Sequence, residues 1–302
     1  MNLNGRRRSG NIDDRRGLSS SRGLKIGGGI GAVIVAAIIA WISGGNPLDV
    51  VMQNAGQLMG GQSTTQSYTP TAEDEELASF VSTILAGTED IWSQQFQAMG
   101  KEYEPPTLVM FTDAVQSGCG GATSSVGPFY CSADKCVYID LSFLRDMRKT
   151  IGADGDFAFA YVIAHEVGHA VQDQLGILDQ AHTQMSRLSE AEANKISVRL
   201  ELQADYLAGV WAANDNKQFN SLEDGDIEEA VDAALKIGDD YLQQRAQGYV
   251  VPESFNHGTS EQRSRWLRKG IQSGSVRDGD TFSIPYSSLS EYGLIIPVQL
   301  II

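Results

Sequence analysis

The sequence predicts an α+β fold, mainly helical with a small sheet, behind one N-terminal transmembrane helix. Three observations predict it. Short β-branched and aromatic runs at 107–111 and 136–140 lie ahead of a long apolar helix pattern at about 155–175. That helix carries two histidines and a glutamate at close spacing. A chargeless run at 26–42 follows a basic N-terminus.

The N-terminal organisation rests on charge. Residues 1–25 hold seven basic and two acidic residues; the remainder holds 16 basic and 36 acidic ones, and the 302-residue chain has a net charge of −15. An acidic body argues against nucleic acid as a partner. The 17 residues of 26–42 would span about 26 Å as a helix at about 1.5 Å per residue, near the short end for a bilayer. Gly27-Gly28-Gly29 weakens the helix start. The basic flank favours a membrane span over a buried soluble helix and places that flank in the cytoplasm. A cleaved signal peptide is the rival, opposed by the long leader and the lack of a clear small-x-small site. Residues 43–72 are rich in Gly, Gln, Ser and Thr and read as a tether. The expected layout is a basic cytoplasmic leader (1–25), a transmembrane helix (26–42), a flexible linker (43–72) and one extracytoplasmic domain (73–302). Its tail from about 284 is unassigned.

Within the domain, residues 74–99 read as helix and 107–111 and 136–140 as strands. Helices follow at about 141–149, 155–175, 189–213, 226–247 and 260–272. Gly176 can stop the second of these after Leu175. Ser189 with Glu192, and Thr259 with Gln262, have the spacing of capping boxes.

The chemistry lies in Ala164-His165-Glu166-Val167-Gly168-His169. On a helix, His165 and His169 share one face, so both imidazoles can reach one zinc ion. Glu166 between them is placed to take a proton from water rather than to bind metal. Burying three such groups without a metal or other partners would be costly. The metzincin continuation is excluded, because Gln172 and Leu175 stand where it needs Gly and His. His182 reads as an exposed loop histidine. Glu201 is the better third ligand. It pairs with Asp205 at i, i+4 on the 189–213 helix, beside the small residues Ala204 and Ala208. Asp205 can then accept the second N–H of a ligand histidine and fix its tautomer.

Other candidates are weaker. His257 stands just before a helix cap, where it could donate to an oxyanion or simply order the helix start. Arg263 suits an anchoring role on a carboxylate. Tyr138, Tyr161 and Tyr206 are oxyanion donors or core tyrosines alike. Cys119, Cys131 and Cys136 lie close in sequence, and outside the cytoplasm two of them would pair. Spacing leaves the pairing open, and no neighbouring histidine supports a second zinc site.

His165-Glu166-x-x-His169 followed by Glu201-x-x-Ala204-Asp205 resembles the gluzincin arrangement, and is close to membrane proteases of the heat-shock-induced and CAAX-prenyl-protease type. A nearer resemblance is to the bacterial neutral zinc metallopeptidase family of the YpfJ type. It extends from residue 5 to about 283. It rests on Gly5-Arg6-Arg7-Arg8-Ser9, Asp14-Arg15-Arg16-Gly17, Ser117-Gly118-Cys119-Gly120 and Gly127-Pro128-Phe129-Tyr130-Cys131. Val137-Tyr138-Ile139-Asp140-Leu141, the two helical motifs, and His257-Gly258-Thr259-Ser260-Glu261-Gln262-Arg263 complete it. Cys136 departs from the family's pattern. The resemblance implies a zincin-like metallopeptidase fold, one membrane segment, and a disulfide between Cys119 and Cys131. It also implies that a downstream histidine such as His257 serves the oxyanion or closes over the zinc.

The expected function is a zinc-dependent endopeptidase anchored in the bacterial cytoplasmic membrane by 26–42, acting on peptides or proteins. His165, His169 and Glu201 would hold one catalytic zinc, Glu166 would be the general base, and Asp205 would support a ligand histidine. Two other classes stay open: a zinc-bearing binding or chaperone module, and a zinc hydrolase of non-peptide amides in the cell envelope. An intact Glu166 argues against the first.

Overall fold

The computed structural model describes residues 1–17, 68–150, 152–153 and 155–290. Four strands form the main sheet, side by side in the order β1 (Ile12–Asp14), β2 (Thr107–Phe111), β6 (Cys136–Asp140) and β5 (Phe129–Cys131). β1, β2 and β6 run parallel, and β5 is antiparallel to β6. A separate hairpin joins β3 (Ala114–Ser117) to β4 (Gly120–Thr123). The strand residues alternate between two cores. Leu108, Met110, Val137 and Ile139 face the helices. Val109, Phe111 and Tyr138 join Phe129, Cys131 and the hairpin on the other face. Burial on both faces explains why β2 and β6 are nearly continuous apolar runs. The Cys119–Cys131 disulfide, with an S–S distance of 2.06 Å, ties the hairpin to β5, and Cys136 keeps a free thiol.

Among the described residues there are eight α-helices: α1 (Ala72–Ala98), α2 (Leu141–Thr150), α3 (Asp156–Gln174), α4 (Ile177–Met185), α5 (Glu190–Phe219), α6 (Asp226–Lys236), α7 (Asp239–Gln247) and α8 (Ser260–Ser273). α3 carries Phe157, Ala158, Ala160, Tyr161, Ile163, Ala164, Val167 and Val171 into the core. Apolar residues on all sides fit a central helix. α5 crosses it where Gly168 meets Ala204: a Cβ on Gly168 would lie 3.1 Å from the Ala204 carbonyl oxygen. α8 crosses α5 still more closely, since a Cβ on Gly270 would collide with the Tyr206 carbonyl. Both crossings bring backbones together because one side chain is missing.

The mainly helical architecture with a small sheet agrees with the α+β expectation, and strands β2 and β6 have the expected bounds. Differences have local causes. The helix expected at 189–213 runs on to Phe219, because Asn220 is the first residue to take a left-handed conformation. The helix expected at 226–247 is two helices, α6 and α7. It breaks at Gly238, where any Cβ would strike the backbone of Ser260. α4 was read as polar chain, yet Leu178, Ala181 and Met185 give it a buried face. Ser189 precedes α5 without a side-chain cap bond, whereas Thr259 and Gln262 do form the expected capping box on α8. Part of the unassigned tail is ordered: Leu289 is buried, and its carbonyl accepts from Trp266 Nε1 at 3.1 Å.

The basic leader is the main correction. Residues 1–17 were expected to stand apart from the domain, but they are part of it. β1 adds to the edge of β2 with Ile12 opposite Leu108. Ser9 N–H donates to the Ser82 carbonyl at 3.0 Å, and Arg15 N–H to the Met110 carbonyl at 2.8 Å. Three of the arginines bind carboxylates of the body. Arg6 binds both oxygens of the buried Asp215, at 3.2 and 2.8 Å, and lies over the Phe219 ring. Arg7 reaches Glu89 and Asp90, and Arg16 reaches Glu75. The Met1 ammonium sits among Asp156, Glu223 and Asp226 at 2.8–3.1 Å. The transmembrane expectation at 26–42 lies outside the described residues, as do residues 18–25, 43–67 and 291–302. Among the described residues no helix is long and apolar enough to cross a membrane.

Candidate metal centre

His165 and His169 occupy one face of α3, one helical turn apart, with ring centroids 4.8 Å apart. Their Nε2 atoms approach the two oxygens of Glu201 on α5, at 3.2 Å from His165 and 3.4 Å from His169. One ligand atom from each of the three residues lies within 4.8 Å of the others. The close approach of Gly168 to Ala204 places Glu201 one turn from the contact. Glu166 is buried beside them.

Each histidine is held through its other nitrogen. His165 Nδ1 donates to Asp205 Oδ1 at 2.8 Å, and His169 Nδ1 donates to Gln172 Oε1 at 2.8 Å. Each histidine therefore presents Nε2 to Glu201, and that nitrogen becomes a metal donor once its proton is lost. The Gln172 amide is itself oriented, since its Nε2 donates to the Leu200 carbonyl and to Gln203 Oε1. Asp205 is fully buried and also accepts from Tyr161 Oη at 2.6 Å and from Arg263 Nε and Nη2 at 2.8 and 2.9 Å. A carboxylate buried this deeply stays ionised only with such partners. Two neutral imidazoles and one carboxylate, converging with their outer nitrogens already hydrogen-bonded, suit a zinc ion.

The electrostatics follow from the crowding. Burial alone would raise the Glu201 carboxyl, but the two histidines outweigh it and hold Glu201 well below the usual carboxylate range. Burial disfavours the His165 imidazolium, yet Asp205 and Glu201 push its pKa up to about 10. His169 is raised in the same way, chiefly by Glu201 against burial. Glu166 is raised by burial, against the pull of the two histidines and of the Tyr130 backbone N–H. Tyr130 belongs to β5, so the sheet edge reaches the base directly.

The remaining candidates divide clearly. His257 is buried, with Nδ1 3.1 Å from Asp239 Oδ1. Asp239 Oδ2 accepts the backbone N–H groups of Asn256, His257 and Gly258 at 2.7–3.0 Å. His257 Nε2 is buried with no hydrogen-bond partner among the described residues, and its ring contributes to the field at Glu201. Tyr161 is committed to Asp205, while Tyr138 bonds Asp134 and Tyr206 the Ser275 carbonyl. Arg263 does anchor on a carboxylate, and that carboxylate is Asp205. His182 is half-buried in α4 rather than exposed in a loop, and lies outside the converging group. Sequence reasoning missed Asp239 and the role of Gln172. Gln172 had a local signal, its i, i+3 spacing from His169; Asp239 had none.

A second convergence of carboxylates, Asp156, Asp226 and Glu229, lies away from this group. The Met1 ammonium bonds two of its members, Asp156 and Asp226.

A family model described as "Putative neutral zinc metallopeptidase" matches residues 1–282. The chain is 48% identical over 289 residues to the protein YpfJ of Escherichia coli (strain K12), covering 93% of this chain and 99% of that one. It is 42% identical over 191 residues to a protein of Mycobacterium tuberculosis (strain H37Rv), covering 60% of this chain and 64% of its relative. No solved structure matches. The matched region takes in the docked N-terminal segment together with the histidine–glutamate centre, and the chain belongs to the neutral zinc metallopeptidase family.

Proposed function

We propose that the chain is a zinc-dependent endopeptidase acting on peptides or proteins. The observation that carries this reading is the convergence of His165, His169 and Glu201 within 4.8 Å, with a buried glutamate beside them that is not one of the three. His165 Nε2, His169 Nε2 and a Glu201 oxygen would hold the ion. Zinc, when bound, supplies Lewis acidity that polarises a carbonyl and makes water easier to deprotonate.

The chain's own residues do the rest. Glu166 accepts the proton of the attacking water at a carboxylate oxygen and returns it to the leaving amine nitrogen. Burial moves its pKa upward, toward the range where one group can both take and give a proton. The Tyr130 N–H fixes which way the carboxylate points. Asp205 and Gln172 keep the imidazoles in register, so nothing reorganises when charge develops. His257 is the proposed oxyanion donor. Its Nδ1 is held by Asp239 at 3.1 Å, which leaves the buried Nε2 as the nitrogen free to meet an oxyanion. Attachment to a membrane through residues 26–42 belongs to the same proposal.

The test is Glu166→Gln in the zinc-loaded protein, assayed on an unfolded protein substrate. It should retain one zinc per chain and lose about 100-fold to 10,000-fold in turnover. Turnover near wild type would sink the assignment, as would loss of zinc together with activity.

A further inference from the structure

Residues 1–17 and 68–290 form one body, and the chain leaves and re-enters that body at one place. Gly17 and Tyr68 are in contact: a Cβ on Gly17 would lie 3.2 Å from the Tyr68 Cβ and 3.3 Å from its carbonyl oxygen. Between them lie fifty residues. We infer that the N-terminal segment and the metallopeptidase domain lie on the same side of the membrane, because docking and a single crossing between them exclude each other.

The sequence between the two ends sharpens this. A helical crossing needs about 20 mostly apolar residues. Residues 26–42 supply one such run at the short limit. A return crossing needs a second, and 43–67 do not contain it: Gly44, Gly45, Asn46, Pro47, Asp49, Gln53, Asn54 and Gln57 interrupt every window. One crossing would put Gly17 and Tyr68 on opposite faces, which their contact excludes.

The charges give an independent argument. The orientation rule places a flank rich in Lys and Arg in the cytoplasm. Here Arg6 is paired with the buried Asp215, Arg7 with Glu89 and Asp90, and Arg16 with Asp14 and Glu75. Arginines bound to carboxylates of the domain lie on whichever side of the membrane the domain does. Pulling them out would strand Asp215, which has no exposed side-chain surface. It would also uncover the edge of β2.

The test uses the full chain in bacterial cells, with Cys136→Ser removing the free thiol. Two reporters are compared, Gly10→Cys and Lys101→Cys, each adding one free cysteine beside the Cys119–Cys131 disulfide, with the Cys136→Ser parent as the blank. Both positions are exposed, and a Cβ on Gly10 meets nothing within 4 Å. A membrane-impermeant maleimide is applied to spheroplasts and to inside-out vesicles, and melting temperatures check that each variant is folded. Both reporters should react in the same preparation, whichever it is. Reaction of Gly10→Cys from one face and Lys101→Cys from the other would overturn the inference.

Discussion

Asp205 shows how much of the metal centre depends on a residue that touches no metal. It receives His165, Tyr161 and two nitrogens of Arg263, so one carboxylate sets a ligand's tautomer and joins α3, α5 and α8. Without metal, protons take the place of its charge. His165 has a pKa of about 10 and His169 is also raised, whereas Glu201 is lowered. The histidine contribution to metal-free stability is therefore complete below the unfolded value of 6.5 and fades as pH rises through about 10. The Glu201 contribution is present above 4.5 and lost as pH falls below it. Zinc must displace the imidazolium protons, so its apparent affinity should rise with pH across neutrality. Calorimetry at pH 7 in buffers of different ionisation heat should show release of about one proton or more per ion; a heat independent of buffer would contradict this. At His257, alanine should cost about 100-fold to 1000-fold in turnover with zinc retained. Asp239→Asn should lower turnover too, because it loosens the orientation of the His257 ring. Unchanged turnover with a lowered melting temperature would leave His257 a purely structural role. His165 with His169, and Glu201 with Asp205, were legible as pairs because i, i+4 spacing puts each pair on one helix face, while Glu166 was singled out by its place in the motif. Asp239 was not, since its bond to His257 spans 18 residues, through α7 and the turn that follows it.

At the level of elements, the site is set by two close helix crossings. Gly168 against Ala204 fixes how near Glu201 comes to the histidines, and Gly270 against Tyr206 fixes how far Arg263 reaches toward Asp205. Gly270→Val would push α8 away from a backbone carbonyl that cannot yield. It should cost about 3 kcal/mol, or roughly 6–12 °C in melting temperature, and weaken zinc binding through Arg263. A variant that melts like wild type and holds zinc equally well would show that the crossing is not what positions Arg263. The elements legible from the sequence are those with long periodicity, such as α1, α3 and α5, or with dense β-branched runs, such as β2 and β6. β1 was invisible because three residues between arginine clusters read as a charged tail, and only its partner β2 makes it a strand. The break between α6 and α7 was equally hidden, since Gly238 is required by Ser260, which follows 22 residues later.

For the whole molecule, charge asymmetry has a different meaning from the one composition suggests. A leader rich in arginine and a body with excess carboxylate look like two compartments, yet the two charges meet across one interface. Arg6→Ala should therefore destabilise the domain by about 3–5 kcal/mol, the cost of leaving a buried carboxylate alone. The measurement is thermal or urea unfolding of the full chain, and an unchanged midpoint would mean that the segment is not docked in solution. The interface could not be read from sequence, because Asp215 lies 209 residues from its partner. The contact between Gly17 and Tyr68 also bears on how the domain is best produced. Starting the polypeptide at residue 73, where sequence places the domain, would remove an edge strand and orphan Glu89 and Asp215. Joining Gly17 to Tyr68 through a few glycines would instead remove the apolar stretch while leaving every described strand, helix and ion pair in place. The natural boundary of this domain is thus a splice rather than a cut.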